Sequence, residues 1–333
     1  MKYAVIGLGA VGTIVGGILK KSERDVVFIG KPNQVDIINK NGIKINGLNG
    51  LIHIKNPKTS SDFSILKDVD FIIICVKSYD TRKLASQIKT YIKKSAIILS
   101  LQNGINNSNI ISKTTGNKTI SGIVLFNALY VKPGESELTI RGGLLIEDEK
   151  SSSEGVQGLI ESFNLVGLSS ISAENIKGYQ WSKLIVNLQN AVTALTGQSI
   201  KDSIINTDTR SILIATMNEG MNVLKKSNIS INSLPDMDPK KMINRLSFYN
   251  SIILRIGSKL LRLQNARTSM WQSISRGKQT EINFINGEIV SLAKKNKLRA
   301  PINEKLVKLI KEAEKKRLTK SYEPFELRKI LGI

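Results

Sequence analysis

The 333-residue chain has one cysteine and one histidine, and these two scarcities exclude several kinds of site. With Cys75 as the only cysteine, an intrachain disulfide is impossible, and a reducing compartment is expected. A zinc site built from histidine and cysteine is excluded by count, so we expect no metal. A histidine–carboxylate acid/base pair would require His53, which lies in an apolar stretch far along the chain from every other candidate residue.

Long apolar runs are also missing. No apolar stretch approaches the ~20 residues that a membrane span requires. The first apolar run begins at Tyr3 and is broken by glycines within a few residues, which is typical of a strand entering a turn and unlike a signal peptide. We therefore expect no membrane partner and a cytoplasmic location.

Acidic residues are few, 27 against 49 lysines and arginines, and the formal net charge is +22. The lysines are spread along the whole chain, without zinc-finger spacing or a basic strand interleaved with aromatic residues. The densest cluster, at 305–320, keeps its apolar residues at helical spacing, which predicts an amphipathic helix with a solvated basic face. We expect no nucleic-acid partner, although a basic field attracts an anionic cofactor or substrate.

The N-terminal stretch "KYAVIGLGAVGTIVGGILKK" contains G-x-G-x-x-G between an apolar strand and a helix. In this context Gly7 permits a tight turn, Gly9 lets the backbone approach a pyrophosphate, and Gly12 allows close helix–strand packing. The start of the helix would offer free N–H groups to the phosphates. The predicted cofactor-binding turn is Gly7, Leu8, Gly9, Ala10, Val11 and Gly12.

The next strand, "DVVFIG", ends where a dinucleotide-binding fold places the residue that discriminates between cofactors. Folds that prefer NAD usually carry an acid there, whereas this chain has Lys31 and no acid until Asp36. A cation suits a 2′-phosphate, so we expect NADPH. The alternative is that Lys31 is one of many surface lysines.

Uninterrupted apolar runs such as "FIIICV" and "AIILSL" indicate strands buried on both faces of a parallel sheet. Polar residues follow two of these runs, and ligands in open α/β sheets lie beyond the carboxyl ends of the strands. Lys77 and Asn103 are therefore cofactor or substrate candidates. Because His53 is remote, a reductase built on this chain would need a lysine as its proton donor.

From about residue 174 the strand patterns give way to helical ones. The chain is thus predicted to be α/β, with an N-terminal Rossmann-like dinucleotide-binding domain at 1–173 and an all-helical C-terminal domain at 174–333, and with a cleft between them. The predicted helices of the second domain are 181–197, 203–227, 239–263, 280–296 and 302–316.

The first of these helices, "WSKLIVNLQNAVTALTG", places Lys183, Asn187 and Asn190 on one stripe of an otherwise apolar surface. Such a stripe faces either solvent or a polar cleft. A second polar stretch follows at 267–290, where Ser269 precedes Met270 and Glu281 stands in the first turn of an apolar helix. Both residues have plain structural interpretations, Ser269 as a helix cap and Glu281 as a carboxylate favoured by the helix dipole.

Taken together, these stretches resemble the ketopantoate reductases (2-dehydropantoate 2-reductases), in the family's order and over nearly the whole chain. The matching pieces are "GLGAVG" at 7–12, "CVKSYDT" at 75–81, "LQNGINN" at 101–107, "NALYVKPG" at 127–134, "WSKLIVNLQNAVTAL" at 181–195 and "SMWQSISRGKQTEINFINGEIV" at 269–290.

The resemblance implies NADPH-dependent reduction of 2-dehydropantoate to (R)-pantoate, in pantothenate and coenzyme A biosynthesis. It implies that Lys183 is the general acid and that Glu281 is catalytic, binding the substrate hydroxyl and the cofactor. The remaining roles that it implies are substrate binding by Asn187, Asn190, Ser269 and Asn103, and cofactor binding by Lys31, Lys77, Asn103 and Ala128.

One feature departs from the family. Common members carry a second asparagine four residues after the first, whereas Asn190 follows Asn187 by three. Because one residue turns a helix by ~100°, either the helix is locally irregular or the pocket differs. A reductase of another 2-ketoacid is therefore an alternative, and a non-catalytic nucleotide-sensing or nucleic-acid-associated protein is a more remote one. The sequence assigns no role to the tail after residue 318 and leaves a homodimer open.

Overall fold

The computed structural model describes residues 1–47, 50–148, 153–235, 238–249, 253–254, 256, 266–316 and 321–333. The chain forms two compact units, Met1–Ile176 and Lys177–Ile333. The predicted fold class is confirmed, since the first unit is mixed α/β and the second is rich in helices.

Among the described residues of the first unit, eight strands form a sheet in the order β12-β11-β8-β7-β6-β1-β2-β5. Its strands pair in parallel except β8 with β11, which are antiparallel. The bounds are β1 (Lys2–Ile6), β2 (Asp25–Ile29), β5 (Lys58–Ser60), β6 (Phe71–Ile74), β7 (Ile97–Ser100), β8 (Thr119–Val124), β11 (Leu144–Glu147) and β12 (Ser170–Ala173).

The central strands are buried on both faces, as their uninterrupted apolar sequences predict. Successive residues of β1 belong alternately to two apolar clusters: Tyr3 and Val5 pack on one side of the sheet, and Ala4 and Ile6 on the other. The side-chain alternation of a strand thus fills two cores at once.

The register aligns the carboxyl ends of four strands. Ile6 of β1 lies opposite Ile29 of β2 and Ile74 of β6, and Ile74 lies opposite Ser100 of β7. The segments that follow these residues therefore leave the sheet at the same edge, where open α/β sheets bind their ligands.

A second, four-stranded sheet has the order β4-β3-β10-β9 and packs against α1. Its strands are β3 (Ile43–Gly47), β4 (Ile52–Ile54), β9 (Asn127–Lys132) and β10 (Glu135–Ile140), and the helices of this unit are α1 (Ala10–Lys21), α2 (Pro32–Asn41), α3 (Thr81–Ile88), α4 (Asn107–Thr115) and α5 (Ser153–Leu165).

The apolar stretch "TISGIVLFNALYV" is divided between β8 and β9, which belong to different sheets. The physical reason is burial. β8 is almost fully buried, whereas every residue of β9 is partly or fully exposed, so the second half does not suit a sheet covered on both faces.

Among the described residues of the second unit, helices are the regular secondary structure. Its helices are α6 (Ile176–Asn187), α7 (Gln189–Thr196), α8 (Ile200–Ile205), α9 (Thr207–Lys226), α10 (Pro239–Phe248), α11 (Ser269–Ile274), α12 (Asn286–Lys295), α13 (Pro301–Lys316) and α14 (Pro324–Leu331).

Several predicted helix limits were wrong. The 181–197 helix is interrupted at Leu188. The start of the 203–227 helix belongs to the separate α8, and α9 begins only at Thr207. The 280–296 helix begins only at Asn286, and most of the 239–263 helix beyond Phe248 lies outside the described residues. Helices α11 and α14 were not predicted. None of the described helices combines the length and apolar character of a membrane span.

Candidate functional site

The turn after β1 has the geometry that the three glycines predict. Gly7 has a φ of 100°, and a Cβ there would lie 2.7 Å from the main-chain nitrogen of Val76. A Cβ on Gly12 would lie 2.1 Å from the carbonyl oxygen of Gly7. Neither position therefore has room for a larger residue.

Gly9 is different, because a Cβ built there meets no atom within 4 Å. It is the N-cap of α1, its side chain cannot cap the helix, and the first turn contains no acidic residue. The turn therefore leaves space beside uncapped helix N–H groups, an arrangement that fits the phosphates of a dinucleotide.

At the end of β2, the apolar side chain of Leu8 occupies the space beside Gly30. A Cβ on Gly30 would lie 2.9 Å from Leu8 Cδ1. Gln34 donates from Nε2 to the Leu8 carbonyl oxygen over 3.1 Å and so ties the glycine turn to α2. Lys31 is exposed, as is Asp36, the first acid that follows it. No carboxylate therefore occupies the position at the end of this strand.

Lys77 and Asn103 follow β6 and β7 at the common edge of the sheet, and both are partly buried. The main-chain oxygen of Asn103 accepts two hydrogen bonds, from Ser78 Oγ at 2.6 Å and from Asn107 Nδ2 at 2.6 Å. These bonds connect the loop after β6 with the loop after β7, and thus restrain the two predicted ligand residues together.

The same network continues beneath the loops. Thr81 Oγ1 donates to Asn107 Oδ1 over 2.8 Å and accepts from Gln102 Nε2 over 2.7 Å. Gln102 Oε1 in turn accepts from Ser100 Oγ over 3.0 Å. Sequence reasoning missed this support, although Gln102 and Asn107 flank Asn103 in the very motif that was singled out.

Ala128, the remaining first-unit candidate, lies on β9 of the four-stranded sheet, not at the edge that carries the other candidates. His53 is exposed on β4. Within the described residues, no three His, Cys, Asp or Glu side chains are grouped so that they could hold a metal ion.

In the second unit, the predicted polar stripe spans the interruption at Leu188. Lys183 and Asn187 are partly buried on α6, whereas Asn190 on α7 is only 5% exposed. The Leu188 N–H donates to both the Leu184 oxygen at 3.1 Å and the Ile185 oxygen at 3.2 Å. Such a shared bond marks a local tightening of the helix, while Leu188 itself keeps helical backbone angles, with φ −57° and ψ −27°.

Lys183 is brought under the influence of Glu281. Burial lowers the pKa of Lys183 to about 8, and the negative charge of Glu281 opposes that shift. Glu281 itself is 4% exposed. The two residues are 98 positions apart in sequence, and the fold of the second unit makes them an interacting acid–base pair.

Glu281 does not stand in the first turn of an α-helix, as the sequence suggested. It precedes a 3-10 turn, Ile282–Phe284. The segment is anchored at Thr280, whose N–H and Oγ1 both donate to Glu314 Oε1, over 2.8 and 2.6 Å. Glu314 lies on α13, so a carboxylate distant in sequence binds the residue that precedes Glu281.

Ser269 begins α11 and is partly buried, but the cap of this helix is its neighbour Thr268. Thr268 Oγ1 accepts from the Trp271 N–H over 3.4 Å and also lies 2.8 Å from Thr193 Oγ1 of α7. The hydroxyl of Ser269 is therefore not required for capping, and its helix is fixed directly to the one that carries Asn190.

Two family models together match most of the chain. The model described as "Ketopantoate reductase PanE/ApbA" matches residues 3–150, and "Ketopantoate reductase PanE/ApbA C terminal" matches residues 175–314. Two relatives bear the name 2-dehydropantoate 2-reductase. The protein of Pyrococcus horikoshii is 34% identical, covering 94% of this chain and 98% of its own length. That of Aquifex aeolicus is 25% identical, with coverages of 94% and 97%.

Solved structures agree with these relatives. A PanE/ApbA family ketopantoate reductase from Ralstonia eutropha superposes with a TM-score of 0.81 at 27% identity, covering 95% of this chain and 99% of that one. A D-mandelate dehydrogenase in complex with NADH superposes with a TM-score of 0.75 at 25% identity, with the same coverages.

Proposed function

Because the chain belongs to the PanE/ApbA ketopantoate reductase family of oxidoreductases, we propose that it catalyses the NADPH-dependent reduction of 2-dehydropantoate to (R)-pantoate. This reaction would serve pantothenate and coenzyme A biosynthesis. The single observation that carries the proposal is Lys183, a partly buried lysine whose pKa is lowered to about 8 and whose charge interacts with Glu281.

The first unit supplies residues suited to the cofactor. The open space at Gly9 and the uncapped start of α1 suit the pyrophosphate, and Lys31 would pair with the 2′-phosphate. Lys77 and Asn103, held by the hydrogen-bonded loops, would contact the nicotinamide end, and Ala128 would line the cofactor groove. When bound, NADPH would supply the hydride that reduces the carbonyl carbon.

Lys183 would supply the proton. As negative charge develops on the ketone oxygen, the Nζ ammonium stabilises it and transfers one proton to it, so that the C=O group becomes a secondary alcohol. A pKa of about 8 keeps most of the amine protonated at neutral pH while making the proton easier to release than from an ordinary lysine. The neutral amine is then reprotonated from solvent.

Glu281 would maintain the charge of Lys183 and bind the substrate hydroxyl and the cofactor. Asn187 and Asn190 would orient the substrate with their amides, Asn103 would contribute from the first unit, and Ser269 would bind the carboxylate through its hydroxyl. In these assignments the substrate would contact polar side chains of α6, α7 and α11. The apolar side chains of the same helices pack in the core.

The preference for NADPH rests on the end of β2. In this chain Leu8 occupies the space beside Gly30 where a carboxylate would bind the 2′-hydroxyl of NAD, and Lys31 follows directly. NADH is the competing cofactor, because the similar D-mandelate dehydrogenase was solved with NADH. Steady-state kinetics with both cofactors would decide, and we expect a kcat/KM at least ~10-fold higher for NADPH.

A second candidate function is reduction of another 2-ketoacid. Two observations favour it: the shifted position of Asn190 beside an interrupted helix, and the likeness to a dehydrogenase of mandelate. The chemistry at Lys183 would be unchanged, because only the group attached to the ketoacid differs.

The deciding experiment follows NADPH oxidation by the purified protein with 2-dehydropantoate and a panel of other 2-ketoacids. Lys183→Ala should reduce kcat by ~100-fold or more, because general acid catalysis contributes that much. Lys177→Ala, which removes an exposed lysine from the same helix, is the matched control and should be unaffected. Turnover of a different ketoacid would select the second candidate. NADPH binding without any turnover would refute both and favour a nucleotide-sensing protein.

A further inference from the structure

Asn286 is a fully buried amide that contacts the interruption between α6 and α7. Its Nδ2 donates to the Leu188 carbonyl oxygen over 3.3 Å and to Asn303 Oδ1 over 3.0 Å. One amide nitrogen carries two hydrogens, so both donors are used. Its Oδ1 has no hydrogen-bond partner within the described residues, so the amide is held in place through its nitrogen.

Asn303, also fully buried, orients that amide. Its own Nδ2 donates to Glu219 Oε1 over 2.9 Å and to the Thr216 oxygen over 3.3 Å. Glu219 in turn accepts from the main-chain N–H of Asn303 and of Ile302, over 2.8 and 3.0 Å, at the start of α13. The chain from the carboxylate to the Leu188 carbonyl is therefore continuous and anchored in two long helices.

This chain of hydrogen bonds ends at the Leu188 carbonyl, close in sequence to the predicted substrate ligands. Leu188 lies immediately after Asn187 and two residues before Asn190, the two predicted substrate ligands. A carbonyl that receives a side-chain hydrogen bond can turn away from the regular helical ladder, and such an insertion is a recognised cause of helix breaks. In an unbroken helix the three-residue spacing would hold Asn190 about 60° from Asn187 around the helix axis, and a break changes that angle.

Building on the proposed function, we propose that Asn286 is a positioning residue for substrate specificity. By bonding to the Leu188 carbonyl it maintains the break and so sets the direction of Asn190 relative to Lys183 and Asn187. Asn303 and Glu219 hold Asn286 in that role. The 2-ketoacid accepted by this chain thus depends on an amide that does not itself touch the substrate.

The test replaces Asn286 by leucine, which has a similar shape and no donor. We expect KM for the preferred ketoacid to rise about tenfold. The ratio of kcat/KM for this ketoacid to kcat/KM for a second ketoacid, which we call the ketoacid ratio, should change about fivefold or more. The NADPH Kd and the pH at which kcat declines should stay unchanged, since Lys183 and the first unit are untouched. Asn296→Leu is the matched control, because Asn296 is the exposed residue that follows α12 and its side-chain amide donates to the Leu292 oxygen of its own helix.

A merely structural role gives a different pattern: a lower Tm and a lower kcat from a reduced active fraction, with KM and the ketoacid ratio unaltered. That result would overturn the proposal. If Asn286→Leu fails to fold, Glu219→Gln provides a milder change, because an amide oxygen still accepts at the start of α13. It should shift the ketoacid ratio in the same direction by about twofold, and an unchanged ratio would again overturn the proposal.

A crystal structure of the variant separates this inference from the proposed function. If the natural chain reduces no ketoacid, the proposed function fails, yet the structural claim is still tested. A continuous helix through residue 188 with Asn190 rotated would support the role of Asn286. An unchanged break would contradict it, whatever the activity.

Discussion

The charge state of Lys183 is set by two opposing effects. Burial removes hydration from the ammonium and lowers its pKa, while the negative charge of Glu281 raises it, and the balance lies at about 8. Because the pKa is below the ordinary value for lysine, the protonated donor is present below pH 8 and is lost as the pH rises through 8. We therefore expect reduction to slow in mildly alkaline solution, well before an ordinary lysine would lose its proton.

Glu281→Gln should move that decline to lower pH. Removal of the carboxylate leaves burial unopposed, so the pKa of Lys183 falls, and the alkaline limb of kcat should shift downward by on the order of 1 pH unit. The measurement is kcat against pH at saturating substrate. Glu304→Gln, which changes an exposed glutamate of the same unit, should leave the limb in place. A limb that stays near pH 8 in Glu281→Gln would contradict the coupling.

At the scale of elements, two glycines of the turn between β1 and α1 have different tasks: Gly12 is required for packing, and Gly9 leaves space for binding. Gly12→Ala should lower the free energy of unfolding by ~2–3 kcal/mol, because its Cβ would overlap the Gly7 oxygen. Gly9→Ala should change stability by less than ~1 kcal/mol, since its φ of −83° suits any residue and the space is open.

Binding of the cofactor, in contrast to stability, should respond to the substitution at Gly9. Gly9→Ala places a methyl group where the pyrophosphate would approach, so NADPH binding should weaken by ~10-fold while the fold is retained. Urea unfolding and NADPH fluorescence titration measure the two effects separately. Tight NADPH binding by Gly9→Ala would show that the open space serves another purpose.

Local patterns explain which elements could be predicted from the sequence. The parallel strands and the glycine turn depend on residues within a few positions of one another, and their identification was correct. The break at Leu188 is contacted by Asn286, almost a hundred residues later, and Thr280, beside the turn at Glu281, is bound by Glu314. No local pattern encodes such bonds, so the segment at Glu281 was predicted as a regular helix. The spacing of Asn187 and Asn190 indicated a local irregularity only as one of two alternatives.

In the candidate site, too, some residues could be identified from the sequence and others could not. Lys183 and Glu281 were identified by resemblance to a family, and the structure shows that they interact electrostatically. The supporting residues Asn107, Asn303 and Glu219 were missed, because an asparagine or glutamate that bonds within the core has the same sequence appearance as a solvated one. The assigned roles of the site residues stay predictions until the variants are measured.

At the scale of the whole molecule, the C-terminal tail is an integral part of the second unit. Leu327 and Leu331 of α14 are buried, and Arg328 forms an ion pair with Asp208 of α9 at 2.9 Å. The Tyr322 N–H donates to the Leu195 oxygen near the end of α7. This segment, which has no predicted role, thus supports the helix that carries Asn190.

Leu327→Ala should therefore lower the free energy of unfolding by ~2–4 kcal/mol, the cost of a cavity in a packed core. Phe325→Ala is the matched control: its side chain is 64% exposed on the same helix, and we expect a change within ~0.5 kcal/mol. Guanidinium unfolding followed by circular dichroism measures both. Equal effects of the two substitutions would show that α14 is not packed in solution.

The single cysteine offers a practical advantage for spectroscopy. Burial raises the pKa of the Cys75 thiol to about 12, so thiolate is scarce at neutral pH and maleimide reagents should attack it slowly. Cysteines introduced at exposed positions, such as Lys67 in the first unit and Lys308 in the second, would react preferentially. Fluorophores can thus be attached to either unit of the otherwise natural chain, without first removing the native thiol beside the glycine turn.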